Sequence, residues 1–298
     1  MGRKIGRKIA LYVVVLTAVQ LYTFHHYNSI LTGSINIKSA GQTEAWTPQK
    51  VNTQKEINSL QKQYSTSAVS DDQTSIAYVD AQNVLHIRDL VNNKELSSVK
   101  LDYTVQYLQW IRNDMVFVGE QEAPGVLSLR TVDANTGTLR TIKTFSGLNS
   151  SDAFKKITYS ALTNDTYILI GSNYSSIVYH FDTNGNMSEV YLGGRFIKNI
   201  AVTQTGNQLY FEDYASGSFN VLCRTQGVVQ LIKLNSALVD VVGNTLYYGS
   251  IDSNGLVTAV YKWENGVSTL VSTLQTPTMA SQIDVTSDGK VQVKASST

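Results

Sequence analysis

The chain of 298 residues has little cysteine, proline, histidine or charge. Its single cysteine, Cys223, excludes an internal disulfide and any Cys-x-x-Cys motif. Its histidines, His25, His26, His86 and His180, do not have the spacing of a zinc-binding helix. With only 16% charged residues against the roughly 25% usual in soluble domains, the polar surface must consist largely of Ser, Thr, Asn and Gln.

The few charges are unevenly distributed. Arg3, Lys4, Arg7 and Lys8 lie within the first eight residues, and the remainder carries 20 Lys and Arg against 23 Asp and Glu. A remainder with a slight negative excess does not offer the large basic surface that nucleic acid requires. No nucleic-acid partner is therefore expected.

The basic tail, residues 1–8, precedes a long apolar stretch without charge, Ile9–Phe24. As a helix, 16 residues would span about 24 Å, and extension to Tyr27 brings the length closer to a ~30 Å hydrocarbon core. The sequence predicts a transmembrane signal-anchor over residues 9–27. Because the positive charges precede it, we expect a cytoplasmic N-terminus and an extracytoplasmic C-terminal domain.

A cleaved signal peptide is the alternative to a retained anchor. It requires small residues in an Ala-x-Ala-like frame, whereas the segment ends in Thr23-Phe24-His25-His26-Tyr27. The retained single-pass anchor is therefore favoured. An exported domain without disulfides is typical of a bacterial cell envelope.

Beyond the anchor, one pattern of four short apolar runs separated by turns occurs five times and begins a sixth time. The second runs start roughly 37 to 52 residues apart, at Ile76, Met115, Tyr167, Leu209, Leu246 and Val291. This spacing is close to the ~40–50 residues of a four-stranded propeller blade. The fourth runs are Leu96–Lys100, Leu139–Phe145, Met187–Leu192, Val228–Leu234 and Val267–Leu274. The predicted fold is an all-β propeller of about six four-stranded blades.

The sixth unit has only two runs before the sequence ends, so closure of the ring needs other strands. Ile35–Lys38 and Gln42–Trp46 could complete it from the N-terminal side. Five blades with a docked hairpin, and a β-sandwich, remain alternatives. The predicted domains are a stem at residues 28–63 and the propeller at 64–298.

The stem also contains a helical pattern over Thr53–Lys62, with Ile57 and Leu60 three residues apart. Asn52 or Thr53 is the expected N-cap, with Glu56 as its capping-box partner. The sequence therefore predicts a short capped helix immediately before the first blade.

Several segments resemble blades of known propeller families. Residues 69–79 (VSDDQTSIAYV) followed by 85–90 (LHIRDL) resemble a TolB-type or WD40-like blade. Residues 131–139 (TVDANTGTL) are similar to the quinoprotein or YVTN blade, whose core is Asp-x-x-Thr-Gly, but depart from it at Thr131 and Thr141. The resemblance covers about residues 63–298 and implies the propeller superfamily, which hosts many functions.

The sequence contains no catalytic signature. It has no Gly-x-Ser-x-Gly elbow and no P-loop, and it predicts neither a cofactor nor a metal. The expected function is a non-catalytic, membrane-anchored binding or scaffold module of the cell envelope. A propeller-type hydrolase or lyase acting on an envelope polymer is the alternative, so enzyme activity stays an open question.

In a propeller, the loops from second to third strands and from blade to blade share one face, and binding groups concentrate on such loops. The expected loops include Glu120–Gly125 and Gly147–Ala153. We expect this face to be acidic with interspersed aromatics and to bind a partner protein or an envelope polymer. Its candidate residues are Asp102, Tyr103, Glu120, Glu122, Tyr174, Arg195, Asp213, Tyr214 and Asp252.

Overall fold

A computed structural model of the chain describes Gln20, residues 48–160 and residues 162–294. The chain divides into two compact units, Met1–Pro48 and Gln49–Thr298, and the second carries the sheets. Except for Gln20, the predicted anchor at 9–27 lies outside the described residues, as do both candidate blade-closing strands. Within the described part, no helix has the length and apolarity needed to cross a membrane.

The second unit contains one α-helix, α1 (Pro48–Gln63), followed by strands grouped into sequential sheets. Blade 1 contains β1 (Ser67–Val69), β2 (Ser75–Val79), β3 (Val84–Asp89) and β4 (Lys94–Lys100). Blade 2 contains β5 (Thr104–Ile111), β6 (Met115–Ala123), β7 (Val126–Asp133) and β8 (Leu139–Phe145). Blade 3 contains β9 (Ala153–Tyr159), β10 (Thr166–Gly171), β11 (Ser176–Phe181) and β12 (Met187–Glu189).

The remaining units follow the same order. Blade 4 contains β13 (Phe196–Val202), β14 (Leu209–Ala215), β15 (Ser218–Thr225) and β16 (Val228–Lys233). Blade 5 contains β17 (Ser236–Val242), β18 (Thr245–Ile251), β19 (Val257–Glu264) and β20 (Val267–Thr278). The sixth unit has two described strands, β21 (Ile283–Val285) and β22 (Val291–Val293).

The described strands form five four-stranded antiparallel meanders and one two-stranded sheet. Each first strand contacts the first strand of the next unit, from β1 to β5, β9, β13, β17 and β21. Sheets that meet through consecutive inner strands are arranged around an axis, whereas a sandwich would stack them in two layers. The predicted propeller of about six units is therefore confirmed, with five complete blades and a two-stranded sixth in the described residues.

The second strand of each complete blade is buried on both faces, because a neighbouring unit or, for blade 1, helix α1 covers each side. Residues of β2 illustrate this: Ala77 packs toward blade 2 with Leu85 and Val116, while Ile76 packs beneath α1 with Ile57. Continuous apolar runs are expected for strands covered on both faces. The core therefore consists of layers between adjacent blades.

The inner strands of blades 2 to 5 each contain one extra residue that interrupts their pairing with the second strand. These β-bulges occur at Gln106, Lys155, Lys198 and Val239. A bulge bends its strand and redirects the side chains that follow. In blades 3, 4 and 5 the next residues, Lys156, Asn199 and Asp240, line the central axis.

Adjacent blades are also joined by hydrogen bonds from a side chain to the inner-strand backbone. Trp110 Nε1 donates to the Ala68 carbonyl oxygen at 2.9 Å, joining blades 2 and 1. The Ile157 N–H donates to the Tyr107 hydroxyl at 3.0 Å, and the Val202 N–H donates to Thr158 Oγ1 at 3.1 Å. These bonds provide partners for inner-strand carbonyl and N–H groups that the strand pairing within each blade does not use.

Helix α1 differs from its predicted form. It begins at Pro48 instead of after Asn52 or Thr53, so the predicted N-cap is wrong. Glu56 forms an ion pair with Arg88 of β3 at 3.0 Å, and Ile57 is buried against blade 1. The helix covers the face of blade 1 that points away from blade 2.

Two strand boundaries also differ from prediction. The fourth strand of blade 3 ends at Glu189 instead of Leu192, so Tyr191 belongs to the connection to blade 4. Glu120 and Glu122 lie in β6, which continues to Ala123, so the predicted loop Glu120–Gly125 is mostly strand. The sequence did not locate these two boundaries because the ends of strands and the loops that follow them are both rich in polar residues.

Candidate functional site: the loop face

We call one end of the propeller the loop face. It contains the connections from second to third strands and from blade to blade, which share one end because successive antiparallel strands alternate in direction. These connections are residues 80–83, 101–103, 124–125, 146–152, 172–175, 190–195, 216–217, 234–235, 252–256 and 279–282. All the predicted site residues lie in these connections or in the strand ends that lead into them.

Three of the predicted residues form a first cluster around Arg130 of β7. Arg130 itself was not predicted from the sequence. Arg130 Nε lies 2.9 Å from Glu120 Oε2, and its terminal nitrogen lies 3.4 Å from Asp102 Oδ2. Its guanidinium also lies 5.6 Å from the centre of the Tyr103 ring, within cation–π range. The guanidinium is therefore held between a carboxylate beneath it and an aromatic ring near the surface.

Glu120 is fully buried in this cluster. Loss of solvation raises the pKa of its carboxyl, and the Arg130 charge only partly opposes the rise. The Glu120–Arg130 contact is an ion pair by distance, but the two groups are not aligned for a hydrogen bond. The pair therefore depends on Coulomb attraction within a desolvated site.

A second cluster lies at the corresponding end of blade 4. Arg195 Nε lies 3.2 Å from Asp213 Oδ2, and the Asn220 side-chain amide donates to Asp213 Oδ1 at 3.3 Å. Asp213 is only 1% exposed, and burial raises the pKa of its carboxyl against the opposing effects of Asn220 and Arg195. The structure thus brings together two predicted residues, Arg195 and Asp213.

Next to this pair, Lys198 and Glu212 form another ion pair. Lys198 Nζ lies 2.9 Å from Glu212 Oε1 and 4.3 Å from the centre of the Phe219 ring. The other Glu212 oxygen accepts a 2.9 Å hydrogen bond from the Leu238 N–H of blade 5. Tyr214 packs against Phe219 with ring centres 5.0 Å apart. Both clusters therefore place a cation between a buried carboxylate and an aromatic ring.

Three of the predicted acidic residues have partners within the propeller. Glu120 and Asp213 are buried and paired with arginines. Asp252 accepts hydrogen bonds from the backbone of Asn254 and Leu256, both at 2.9 Å, and so stabilises its own turn.

The two most exposed large hydrophobic side chains on the loop face are tyrosines, Tyr174 and Tyr191. Tyr174 is 91% exposed and Tyr191 77%, while Tyr214 and Tyr103 are exposed by 48% and 37%. Tyr191 was missed because it was assigned to a strand. The adjacent Gly193 and Gly194, both with positive φ, were the available signal that the chain had already entered a loop.

A second candidate site is a cavity of about 400 Å³ along the axis. Residues from all five complete blades line it, including Asp71, Gln109, Lys156, Asn199 and Asp240. Burial raises the pKa of the Asp240 carboxyl, mainly through lost solvation, while Lys156 and Lys294 oppose the rise. The cavity is therefore lined by polar and charged side chains as well as apolar ones.

The two described histidines occupy structural positions. His86 Nε2 lies 3.1 Å from Asp80 and its ring stacks on Tyr78, while His180 Nε2 lies 2.6 Å from Asp165 and stacks on Tyr167. Among the residues that the structure describes, no group of three His, Cys, Asp or Glu side chains is arranged to hold a metal ion. Cys223 is buried in β15.

Neither a protein-family model nor a curated protein sequence matches this chain. Among solved structures, it is similar to an oligogalacturonate lyase in complex with manganese, with 15% identity over 77% of this chain and 76% of that chain (TM-score 0.53). It is also similar to the RRP9 WD40 repeats, with 12% identity over 75% and 70% of the two chains (TM-score 0.50). A prolyl endopeptidase gives 16% identity over 73% of this chain (TM-score 0.54).

The chain spans only 36% of the length of that prolyl endopeptidase. At identities this low, the similarities concern the fold, and folds of this kind carry many unrelated activities. Together with the series of inner strands around one axis, they identify the fold of the described domain as a β-propeller.

Proposed function

We propose that this protein is a non-catalytic binding module that docks a partner protein through the loop face. The observation that carries the proposal is the set of exposed tyrosines on that face. The arginines of the same face already form ion pairs with buried carboxylates. The proposal includes retention in a bacterial cell membrane by residues 9–27, with the propeller on the extracytoplasmic side. The basic tail before that apolar stretch supports this location.

Tyrosine suits a docking surface because it supplies a large contact area and a hydrogen-bonding hydroxyl at a low cost in side-chain entropy. Tyr214 is braced by Phe219, and the Tyr103 ring by Arg130. Arg130 is paired with the buried Glu120, and Phe219 lies against Lys198, which is paired with the buried Glu212. A partly rigid aromatic surface loses less freedom on binding than a mobile one.

The paired charges favour a polypeptide partner over a highly charged envelope polymer. A polyanion requires an excess of exposed cations, but Arg130 and Arg195 of this face are engaged by Glu120 and Asp213. An uncharged envelope polymer is the alternative partner, and treating the captured material with protease separates it from a protein.

The test compares two double variants of the full-length protein in native membranes. Tyr174→Ser with Tyr191→Ser removes the two most exposed tyrosines, and Val228→Ser with Val267→Ser is the control because those residues are exposed on outer strands. Interface tyrosines commonly contribute about 2 kcal/mol each, so we expect at least a tenfold loss of cross-linked partner for the tyrosine pair only. Equal capture by both variants would exclude the loop face.

The alternative function, a hydrolase or lyase acting on an envelope polymer, is supported by one observation. The axial cavity contains the Asp240 carboxyl, whose pKa is raised, together with the Lys156 ammonium group. A carboxyl with a raised pKa is suited to general acid or base catalysis. Incubation of purified protein with envelope polymers, followed by mass spectrometry, should give products that Asp240→Asn abolishes; products that persist in the variant would exclude this site.

A further inference from the structure

We propose that the axial cavity binds a small zwitterion, an organic molecule carrying one ammonium and one carboxylate group. The cavity is lined by two opposite charges from different blades, Lys156 of β9 and Asp240 of β17, and neither forms an ion pair among the residues that the structure describes. This inference is independent of partner docking at the loop face, since it concerns a different part of the molecule and a different class of ligand.

The size and shape of the cavity fit a small ligand. Its volume of about 400 Å³ lies near the lower end of the ~300–1,000 Å³ typical of ligand sites. The inner strands of the complete blades form its wall, and Asp71 and Gln204 lie toward the end opposite the loop face, where first and second strands connect. The wall is made of paired strands, so the site is built on a rigid scaffold.

Lys156 and Asp240 influence each other electrostatically without forming an ion pair. Both side chains line the same cavity, and the Lys156 charge opposes the rise in the pKa of Asp240, yet the described residues contain no ion pair or side-chain hydrogen bond of Lys156. One Asp240 oxygen accepts a 2.8 Å hydrogen bond from the Val241 N–H. The ammonium group and the second carboxylate oxygen are therefore available to a ligand.

The uncharged groups of the wall are largely occupied. The Asn199 amide donates to the Leu238 carbonyl at 3.1 Å and its oxygen accepts from the Ile200 N–H at 2.9 Å. Thr158 Oγ1 accepts from the Val202 N–H. Recognition would therefore depend mainly on the two charges, with the Gln109 amide, whose oxygen accepts from the Tyr107 hydroxyl, as a further donor.

The other charges near Asp240 strengthen the case for an ammonium group at that end. Asp284 raises the pKa of Asp240 and Lys294 lowers it, but these two residues form their own ion pair at 3.3 Å. Asp71 adds a further carboxyl to the lining. A ligand ammonium group beside Asp240 would compensate for the desolvation of this half-buried carboxylate, and the ligand carboxylate would neutralise Lys156.

The test uses isothermal titration of the intact protein with simple probes that differ in charge separation. Glycine, 4-aminobutyrate and 6-aminohexanoate carry both charges, and butylamine and butyrate carry one each. We expect at least one zwitterion to bind about tenfold more tightly than either singly charged probe, a difference of about 1.4 kcal/mol. The proposal fails if no zwitterion binds at millimolar concentration, or if butylamine or butyrate binds equally well.

Variants then assign the two ends of the ligand. Lys156→Met should abolish the advantage of the zwitterion over butylamine, and Asp240→Asn should abolish its advantage over butyrate. Lys155→Met is the matched control because Lys155 is the adjacent exposed bulge residue and does not line the cavity. Loss of binding in Lys155→Met equal to that in Lys156→Met would contradict the assignment, and the probe comparison on unmodified protein holds even if a variant does not fold.

Discussion

Individual side chains in this propeller form contacts across the boundaries between blades. Glu212 is the clearest case: it belongs to blade 4, pairs with Lys198, and accepts the Leu238 N–H of blade 5. It is only 1% exposed, so water cannot replace either partner. One carboxylate therefore supports both the aromatic loop face and the joint between two blades.

Glu212→Ala should lower the free energy of unfolding by about 2–3 kcal/mol. The substitution leaves the buried Leu238 N–H without an acceptor, which costs about 1–3 kcal/mol, whereas the half-exposed Lys198 can return to water at little cost. Urea denaturation measures the change, with Glu189→Ala as the exposed control. Equal losses in the two variants would show that Glu212 does not join the blades.

Tyr107→Phe tests a second joint between blades. The hydroxyl accepts the Ile157 N–H at 3.0 Å and is so strongly desolvated that its pKa rises to about 12. Its loss leaves a buried N–H unpaired and should cost about 1–3 kcal/mol. Tyr174→Phe, which removes a hydroxyl from a fully accessible ring, should be neutral in the same thermal unfolding measurement.

At the scale of secondary-structure elements, helix α1 packs against blade 1 as part of the domain. Ile57 is 4% exposed and packs with Ile76, Tyr78 and Leu90, and Tyr64 just beyond the helix stacks on Tyr78 at 4.3 Å. A helix whose only role was to space the domain from a membrane would bury few apolar groups. Blade 1 therefore relies on α1 to cover its outer face.

Ile57→Ala should destabilise the second unit by about 2–4 kcal/mol, as expected for truncating a buried aliphatic residue. Leu60→Ala, at a partly buried position of the same helix, should cost distinctly less. Chemical denaturation followed by tyrosine fluorescence provides both values. An Ile57 variant as stable as the parent protein would indicate that α1 is dispensable for the fold.

The sequence predicted the strands better than the surface groups, for a physical reason. Buried second strands such as Tyr167–Ile170 must be apolar on both faces, so their pattern is unambiguous. The end of β12 at Glu189 could not be predicted, because an outer strand has one exposed edge and tolerates polar residues whether or not it is paired. Tyr191 was misplaced for that reason.

The candidate site shows the same limit at the scale of single side chains. The positions of Asp102, Tyr103, Arg195 and Asp213 at one end of the propeller followed from counting strands. The ion pair of Asp102 did not, because Arg130 approaches it from a third strand, 28 residues further along the chain. Glu120 can be buried because Arg130 lies beside it. The spacing of residues along one strand does not show that such a partner is present.

At the scale of the whole molecule, two groups of carboxyls respond oppositely to pH. Burial raises the pKa of Glu212 and Asp213, so the folded state binds their protons more tightly and stability falls as pH rises above the ordinary pKa of 4.5 or 3.8. The backbone N–H of Thr136 lowers the pKa of Asp133 by hydrogen bonding, and the side-chain amide of Asn186 does the same for Asp182. Their stabilisation is present above pH 3.8 and is lost as pH falls below it.

The two groups can be separated by measuring urea midpoints as a function of pH. Glu212→Gln should flatten the decline in stability above about pH 4.5, since the neutral amide pays no desolvation cost for charge. Asp133→Asn should reduce the loss below about pH 4 and leave the upper range unchanged. A steeper decline in Glu212→Gln at neutral pH would contradict the assigned direction.

The hydrogen bonds between blades also limit how the gene could be rearranged. The bond at the second boundary needs the Tyr107 hydroxyl and the Ile157 N–H, while the third uses Thr158 and the Val202 N–H. Exchanging the third and fourth repeats would separate both pairs, even though each repeat would still form its four strands. The order of the repeats is therefore fixed by chemistry at the boundaries, and a circular permutation that keeps neighbours together would preserve it.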